Sequence, residues 1–323
     1  MTSSTGNLRV RVAAKAIEAV DICSFELVSA EGVALPSFSA GSHIDVQIRE
    51  GLTRQYSLCN DPSEDHRYLI AVLRDANTRG GSQAMHDQVH VGDTLTISTP
   101  KNHFPLAHGA ERSLLLAGGI GVTPILCMAE RLALTGATFE MHYASRTPER
   151  TAFVERIRGS AYAEHVHFHF DDGPPEQRFD GERLLANPDQ RTHLYVCGPK
   201  GFMDHVLALA RANGWPEDRL HYEFFGVQIE ASDDDSDFQV KVASSGKIVT
   251  VTKEQTVVEA LSEAGVYIET SCEQGVCGTC LTRVLEGIPD HKDLYLSPQE
   301  QASNAQFMPC CSRSKSPLLV LDL

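Results

Sequence analysis

The sequence predicts a multidomain protein: an antiparallel β domain, then a doubly wound parallel α/β domain, then a small cysteine-rich domain. Its 323 residues exceed the roughly 250 that one hydrophobic core serves. Short runs alternate apolar and polar residues from 8 to about 105, and strands alternate with helices from about 110 to 226. Residues 269–287 then place three cysteines within nine positions.

The composition excludes several classes of function. A formal net charge of −15 leaves no basic stripe for nucleic acid and disfavours docking on an anionic membrane. The start, MTSSTGNLRVRVAAK, lacks the apolar core of a signal peptide. The nine cysteines are an odd number, and four isolated ones stand in apolar patterns: Cys23, Cys59, Cys127 and Cys197. We therefore expect a cytoplasmic protein with reduced thiols.

The first domain is predicted to be an antiparallel barrel. Runs such as HIDVQI, RQYSLCN, YLIAVLR and TLTIST have the period of two of half-buried strands, and turn residues separate them. One of these strands carries Arg54, Tyr56 and Ser57. An aromatic residue in a barrel strand is by itself more typical of core packing than of a ligand site.

The stretch AVLRDANTRGGSQAMHD indicates a phosphate-binding turn. A strand with Val72 and Arg74 is followed by a turn that opens a helix: Arg79, Gly80, Gly81 and Ser82. We expect Ser82 to be the N-cap of that helix. Glycines before a helix N-terminus, beside a cation, suit a phosphate, although an ordinary glycine turn is the simpler alternative.

The α/β domain is predicted from five strand-like runs, RSLLLAGG, TFEMHYAS, HVHFHFDD, HLYVCGP and RLHYEFF, with helices such as GFMDHVLALARANG between them. The histidines of HVHFHF alternate with apolar residues. This alternation predicts solvent-facing strand positions rather than metal ligands for His165, His167 and His169.

The stretch LLLAGGIGVTPI is similar to a dinucleotide-binding loop. Gly118, Gly119 and Gly121 follow a strand, but Pro124 stands where the usual fingerprint has its third glycine. We expect Thr123 to be the N-cap of the next helix, with Pro124 at the first helical position.

The third domain follows the acidic stretch GVQIEASDDDSD, which predicts a linker. FQVKVASSGKIVTVT indicates a hairpin around Ser245 and Gly246, and TVVEALSEAG a helix that ends in glycine. The cysteine loop comes next.

Cys272, Cys277 and Cys280 have the C-x4-C-x2-C spacing of plant-type 2Fe–2S sites. Zinc is the main alternative, but structural zinc sites prefer two paired C-x2–4-C units, and only one such pair is present. A fourth thiolate would come from Cys310 or Cys311. Residues 238–323 resemble a plant-type ferredoxin of the β-grasp fold, in which 29 residues separate the last two ligands. The resemblance therefore implies Cys310, which follows Cys280 by that interval.

Arg54-x-Tyr56-Ser57, the glycine–serine turn, the Gly118–Thr123 loop and the CGP turn together resemble the ferredoxin–NADP reductase superfamily. The domain order narrows this to reductases like phthalate dioxygenase reductase and vanillate O-demethylase reductase. The resemblance implies that Arg54 contacts the flavin phosphate, that Tyr56 flanks the flavin ring and that Ser57 hydrogen-bonds near its reactive nitrogen. Phe225 would cover the other face of the ring. The glycine turn with Val72 and Arg74 would complete the flavin site.

The same resemblance implies that Thr123 and the CGP turn, Cys197, Gly198 and Pro199, border the nicotinamide. Ser145 and Arg146 follow the second strand, where an acidic residue for a ribose hydroxyl was expected. The family points to NADH, whereas a guanidinium at Arg146 would suit the 2′-phosphate of NADPH.

The implied domains are a flavin-binding barrel (1–108), an NAD-binding α/β domain (109–227), a linker (228–237) and a 2Fe–2S ferredoxin domain (238–323). The implied cofactors are FMN, NADH and a 2Fe–2S cluster. The implied function is the reductase of a two-component Rieske oxygenase that acts on an aromatic or related small substrate. We expect a monomer that meets its oxygenase in a salt-sensitive, transient complex. The alternatives are a reductase for a diiron oxygenase or cytochrome P450, and a redox-sensing protein without turnover.

Overall fold

The computed structural model describes residues 7–75, 80–189, 191–226 and 236–323. The chain divides into two compact units, Met1–Glu223 and Phe224–Leu323. The finer boundaries predicted at 108 and 227 stay predictions. Of the predicted linker, only Ser236 and Asp237 belong to the described residues.

The first unit begins with an antiparallel barrel. Its elements are β1 (Leu8–Ala19), β2 (Ile22–Ser29), β3 (Ser42–Arg49), β4 (Leu52–Ser57), β5 (Tyr68–Leu73), α1 (Gly81–Gln88), β6 (Thr94–Ile97) and β7 (Lys101–Asn102). The strand order is β4-β3-β6-β1-β2-β5, and a bridge from Leu58 to Ile70 joins the two end strands. The inward positions of the alternating strands form one core around Phe25, Ile44 and Tyr68. The predicted barrel is confirmed.

A parallel sheet follows in the same unit. Its elements are β8 (Arg112–Gly118), α2 (Val122–Leu134), β9 (Thr138–Ser145), α3 (Val154–Arg158), β10 (Val166–Phe170), α4 (Gly181–Leu185), β11 (Thr192–Cys197), α5 (Lys200–Ala212) and β12 (Leu220–Glu223). The order is β10-β9-β8-β11-β12, with every pair parallel. The chain order reverses between β8 and β11, and the carboxyl ends of strands at such a point form a ligand crevice. The predicted doubly wound domain is confirmed.

The second unit is a β-grasp domain. Its elements are β13 (Phe238–Val242), β14 (Ile248–Val251), α6 (Val257–Glu263), β15 (Thr282–Glu286), β16 (Pro289–Asp290), α7 (Pro298–Ser303), β17 (Gln306–Phe307), β18 (Arg313–Ser314) and β19 (Leu318–Leu321). The main sheet has the order β14-β13-β19-β15-β17, with β13 and β19 parallel. The predicted hairpin turns at Gly246, whose φ is +68°. Helix α6 packs its apolar side into the same core as β13 and β19.

None of the helices in the described ranges is long and apolar enough to cross a membrane.

Candidate functional site

The four predicted cluster ligands lie in two pairs within the second unit. Cys272 is hydrogen-bonded to Cys277, and Cys280 to Cys310. Three of the four thiols are buried, and Cys277 is partly exposed. Two pairs of thiols suit a cluster of two irons in which each iron takes two cysteines.

The backbone of the cysteine loop requires its glycines. Gly275 and Gly278 have φ angles of +71° and +77°, in the left-handed region. A Cβ on Gly275 would lie 2.5 Å from the sulfur of Cys311, and one on Gly278 would lie 2.3 Å from the ring of Tyr295. Both the conformation and the packing therefore exclude a side chain at these two positions.

Polar groups of the loop point at the sulfurs. The backbone N–H of Gln274 donates to Cys272 Sγ at 3.3 Å, and the hydroxyl of Thr279 lies 3.3 Å from Cys277 Sγ. The pKa of Cys277 is lowered to about 6, mainly by the hydrogen bond from Cys272, and the pKa of Cys272 is correspondingly raised. The hydrogen bond within this pair of thiols stabilises a thiolate, which is the form that binds iron.

An arginine and a helix N-terminus meet in the barrel. The Cβ that Gly81 lacks would lie 2.6 Å from Cγ and 2.7 Å from Nε of Arg54, so the arginine crosses the first residue of α1. The N-cap is Gly80, with φ of +88°, and it makes no side-chain capping bond. Ser82 was expected there and is wrong as the cap: it is the second helical residue, and its hydroxyl accepts from the backbone N–H of Asp75. A guanidinium beside a helix N-terminus suits a phosphate.

The other predicted members of this region lie nearby or outside the described residues. Val72 is buried in β5, and its carbonyl oxygen is 2.9 Å from Nε2 of His86. Arg74 forms a two-bond ion pair with Asp87 of α1, each bond 2.9 Å long. Arg79 lies outside the described residues.

Ser57, Glu223 and Cys197 come together where the barrel meets the parallel sheet. Buried Ser57 donates a hydrogen bond to the carboxyl group of Glu223, at the carboxyl end of β12. Glu223 is paired with Cys197 across β11 and β12. Its oxygen Oε2 is shut off from solvent and has no hydrogen-bond partner among the described residues. Burial raises the pKa of Glu223 to about 8. An orphaned buried carboxyl oxygen fits a site that receives a polar ligand group.

Glu223 belongs to none of the motifs recognised in the sequence. The available signal was its position as the last residue of the last parallel strand, at the edge of the sheet where ligands bind. Tyr56 lies on β4 next to Ser57 and is partly exposed.

The glycine loop after β8 packs against the CGP turn after β11. A Cβ on Gly121 would lie 2.3 Å from the carbonyl oxygen of Cys197, and one on Gly118 would lie 3.0 Å from Cδ of Pro199. One on Gly198 would lie 3.0 Å from Cα of Gly118. Two turns this close can approach a nucleotide through their backbones.

Helix α2 begins two residues earlier than expected. Its first residue is Val122 and its N-cap is Gly121, so the prediction of Thr123 as N-cap is wrong. The Thr123 hydroxyl instead donates to the carbonyl of Ile120 at 3.1 Å, because the short turn Gly119–Gly121 is itself helical. Thr123 is buried beside the loop, and Gly119 has a φ of +51°.

The remaining predicted residues differ in environment. Ser145 is buried at the end of β9, 2.6 Å from the hydroxyl of Thr151, whereas Arg146 is exposed. Phe225 belongs to the second unit and is partly buried.

These features define an electron-transfer oxidoreductase. They are a barrel with Arg54 at a helix N-terminus, a parallel sheet with a nucleotide-type glycine loop, and a β-grasp domain with four paired thiols. The family described as "2Fe-2S iron-sulfur cluster binding domain" matches residues 240–315. A vanillate O-demethylase oxidoreductase of Pseudomonas putida is 57% identical over 307 residues, 95% of this chain and 96% of that protein.

Two solved structures extend the likeness. A phthalate dioxygenase reductase, described as a modular structure for electron transfer from pyridine nucleotides to [2Fe-2S], is 39% identical with a TM-score of 0.83, covering 98% of both chains. An intact type IV self-sufficient cytochrome P450 monooxygenase is 38% identical with a TM-score of 0.77, covering 98% of this chain and 41% of that one. The chain belongs to the family of the vanillate O-demethylase oxidoreductases and phthalate dioxygenase reductases, and its C-terminal unit is a 2Fe–2S cluster-binding domain.

Proposed function

We propose that the chain is the NADH-dependent reductase of a two-component Rieske oxygenase that acts on an aromatic or related small substrate. The observation that carries this proposal is the meeting of Ser57, Glu223 and Cys197 on a chain that also holds four paired thiols. A chain that carries both a site for a two-electron reaction and a one-electron carrier suits the conversion of a hydride into single electrons.

The flavin is FMN in this proposal. Arg54 and the N-terminus of α1 would hold its terminal phosphate, because a guanidinium and the N–H groups of a helix's first turn both favour a dianion. Tyr56 would flank the ring on one side and Phe225 on the other, as the family resemblance implies. When bound, the flavin accepts a hydride and releases its electrons one at a time.

In this proposal, Glu223 and Ser57 belong to the site where the nicotinamide meets the flavin. The Gly118–Thr123 loop and the Cys197–Pro199 turn would hold NADH at the carboxyl edge of the sheet. Because its pKa is raised to about 8, Glu223 holds a proton at neutral pH and adds no negative charge to a site that receives a hydride. Ser57 keeps that carboxyl group in place through its hydrogen bond.

In the second unit, Cys272, Cys277, Cys280 and Cys310 would hold the cluster. The backbone N–H of Gln274 donates to Cys272 Sγ and would stabilise that sulfur ligand, and the Thr279 hydroxyl lies 3.3 Å from Cys277 Sγ.

The decisive experiment combines the purified reductase with a vanillate O-demethylase oxygenase. We expect NADH oxidation coupled to demethylated product, and released flavin that migrates as FMN on chromatography. NADH oxidation without product would reject this oxygenase as the partner, and flavin migrating as FAD would reject the assignment of FMN.

A second acceptor class is favoured by the likeness to the self-sufficient cytochrome P450. Reduction of a P450 haem faster than reduction of the Rieske oxygenase would select it. Steady NADH-driven reduction of cytochrome c would exclude a redox sensor without turnover.

A further inference from the structure

Three side chains on the edge strand β10 and its neighbour β9 converge on one point. Glu140 and His142 lie on β9, and His167 lies opposite His142 on the edge strand β10. One ligand atom from each lies within 4.8 Å of the other two. Nothing in the proposed flavin, nicotinamide or cluster sites uses these residues.

The two nitrogen–oxygen distances to Glu140 match the spacing of ligands around one metal ion. Nε2 of His142 is 3.1 Å and Nε2 of His167 is 3.3 Å from the same oxygen, Oε1 of Glu140. Ligands held at about 2.05 Å around a tetrahedral zinc ion are about 3.3 Å from one another. The two nitrogen–oxygen distances therefore correspond to two edges of a zinc tetrahedron.

The groups around these ligands also hold them in place. Nδ1 of His142 lies 2.9 Å from Nε2 of His169, which leaves Nε2 of His142 as the atom that faces Glu140. Arg112 donates to the other carboxylate oxygen, Oε2, at 2.6 Å, so Oε1 remains directed at the histidines. Metal-bound histidines and carboxylates typically have such outer partners. The Arg112 charge opposes a cation to some extent, but it is itself 44% exposed and screened by solvent.

We propose that Glu140, His142 and His167 form a binding site for a divalent transition metal of the zinc type, which ties the edge strand β10 to β9. Imidazole and carboxylate ligands suit Zn²⁺ and Cu²⁺. His142 is almost fully buried while His167 is 49% exposed, so the fourth position opens to solvent for water. Among the described strands β10 pairs with β9 alone, so a bond between them stabilises this edge of the sheet.

The test uses the oxidised full-length holoprotein, titrated with Cu²⁺ in the absence of air and followed by electron paramagnetic resonance. The oxidised cluster and flavin give no signal, so the copper spectrum is observed alone. We expect one site with splitting from two imidazole nitrogens, from which a large excess of Zn²⁺ displaces the more tightly bound copper. Loss of a group that merely hydrogen-bonds to a metal ligand typically lowers metal affinity about 10–100-fold. His167→Gln removes a proposed ligand itself, so it should weaken copper affinity by at least this factor. The exposed His108 provides the control, and His108→Gln should bind as the wild type does.

A second readout tests the link between the strands. Zn²⁺ should slow amide hydrogen exchange in Val166–Phe170 of the wild type but not of His167→Gln, and both proteins should keep their flavin spectrum. Equal metal affinity in the two proteins, or a copper spectrum with sulfur ligation, would overturn the site. Binding without slower exchange would overturn the link.

Discussion

At the scale of single residues, two adjacent buried cysteines have different surroundings. Cys310 is hydrogen-bonded both to Cys280 and to Cys311, whereas Cys311 also lies against Gly275, with its thiol 3.6 Å from the carbonyl oxygen of Met308. Cys310→Ser should therefore abolish the visible absorption of the cluster, and Cys311→Ser should leave it intact. Absorption spectra of the two purified variants decide the matter. The reverse pattern would make Cys311 the fourth ligand.

Glu223 should make the first unit less stable at high pH. Its pKa in the folded protein, about 8, lies above the ordinary value of 4.5, so the folded state binds this proton more tightly. The resulting stability is complete below about 4.5 and is lost as the pH rises through about 8. We expect the thermal midpoint of the wild type to fall across this window, and that of Glu223→Gln to stay flatter. An exposed-site control, Glu164→Gln, should follow the wild type. Parallel curves for Glu223→Gln and wild type would show that this carboxyl group is not the one that titrates.

Arg146 is the residue that we expect to support any activity with NADPH. Its side chain is exposed directly after β9, whereas the preceding Ser145 is buried and hydrogen-bonded to Thr151. We expect a higher kcat/KM with NADH, and a loss of the residual NADPH activity in Arg146→Ala with little change for NADH. A wild-type preference for NADPH that Arg146→Ala removes would contradict the choice of NADH.

At the scale of elements, the start of α1 depends on the absence of a side chain. A Cβ at Gly81 would displace Arg54, since it would lie within 3.1 Å of three atoms of that side chain. Gly81→Ala should weaken FMN retention by about tenfold or more, which is about 1.4 kcal/mol. Gly201, in the first turn of α5, is the matched control because nothing lies within 4 Å of its missing Cβ. Flavin content after gel filtration measures both. Equal flavin content in the two variants would contradict the proposal that Arg54 and the N-terminus of α1 hold the flavin phosphate.

The helices and strands were predicted from the sequence more accurately than the residues at which the helices begin or the contacts between distant segments. The alternation of period two and the strand–helix succession identified the barrel and the parallel sheet, because those patterns follow from burial of one face. Ser82 and Thr123 were expected as N-caps by residue type, but Gly80 and Gly121 occupy those positions. Residue preference is a weak guide where a tight turn needs glycine.

The Cys280–Cys310 pair was expected from the ferredoxin spacing, but other contacts between distant segments were not predicted. The bond from Ser57 to Glu223 joins two sheets, so no local pattern encodes it. The histidines of HVHFHF were expected to face solvent: His165 and His167 do, but His169 is only partly exposed and contacts His142. The alternation of residues in β10 predicts which side chains share one face of the strand. It does not predict that β9 places His142 on the same face.

At the scale of the whole molecule, the division into two units predicts separable functions. The first unit contains Ser57, Glu223, Cys197 and the Arg54–Gly81 cradle, and the second contains the four thiols. A chain that ends at Gly226, and so keeps Phe225, should fold, retain its flavin and oxidise NADH with ferricyanide as acceptor. Ferricyanide takes electrons directly from a reduced flavin and does not need the cluster.

Transfer from that shortened chain to an oxygenase should fall by orders of magnitude, because the cluster is the proposed outlet for single electrons. The full-length chain should in turn reduce its oxygenase more slowly as salt is added. With 43 acidic against 28 basic residues, its charge favours a basic patch on the acceptor, and such an encounter is screened beyond about 8 Å at physiological ionic strength. Stopped-flow reduction of the oxygenase at several salt concentrations measures both effects. If the shortened chain reduced the oxygenase at the full rate, the cluster would lie off the electron path, and the ferredoxin domain would serve docking or sensing instead.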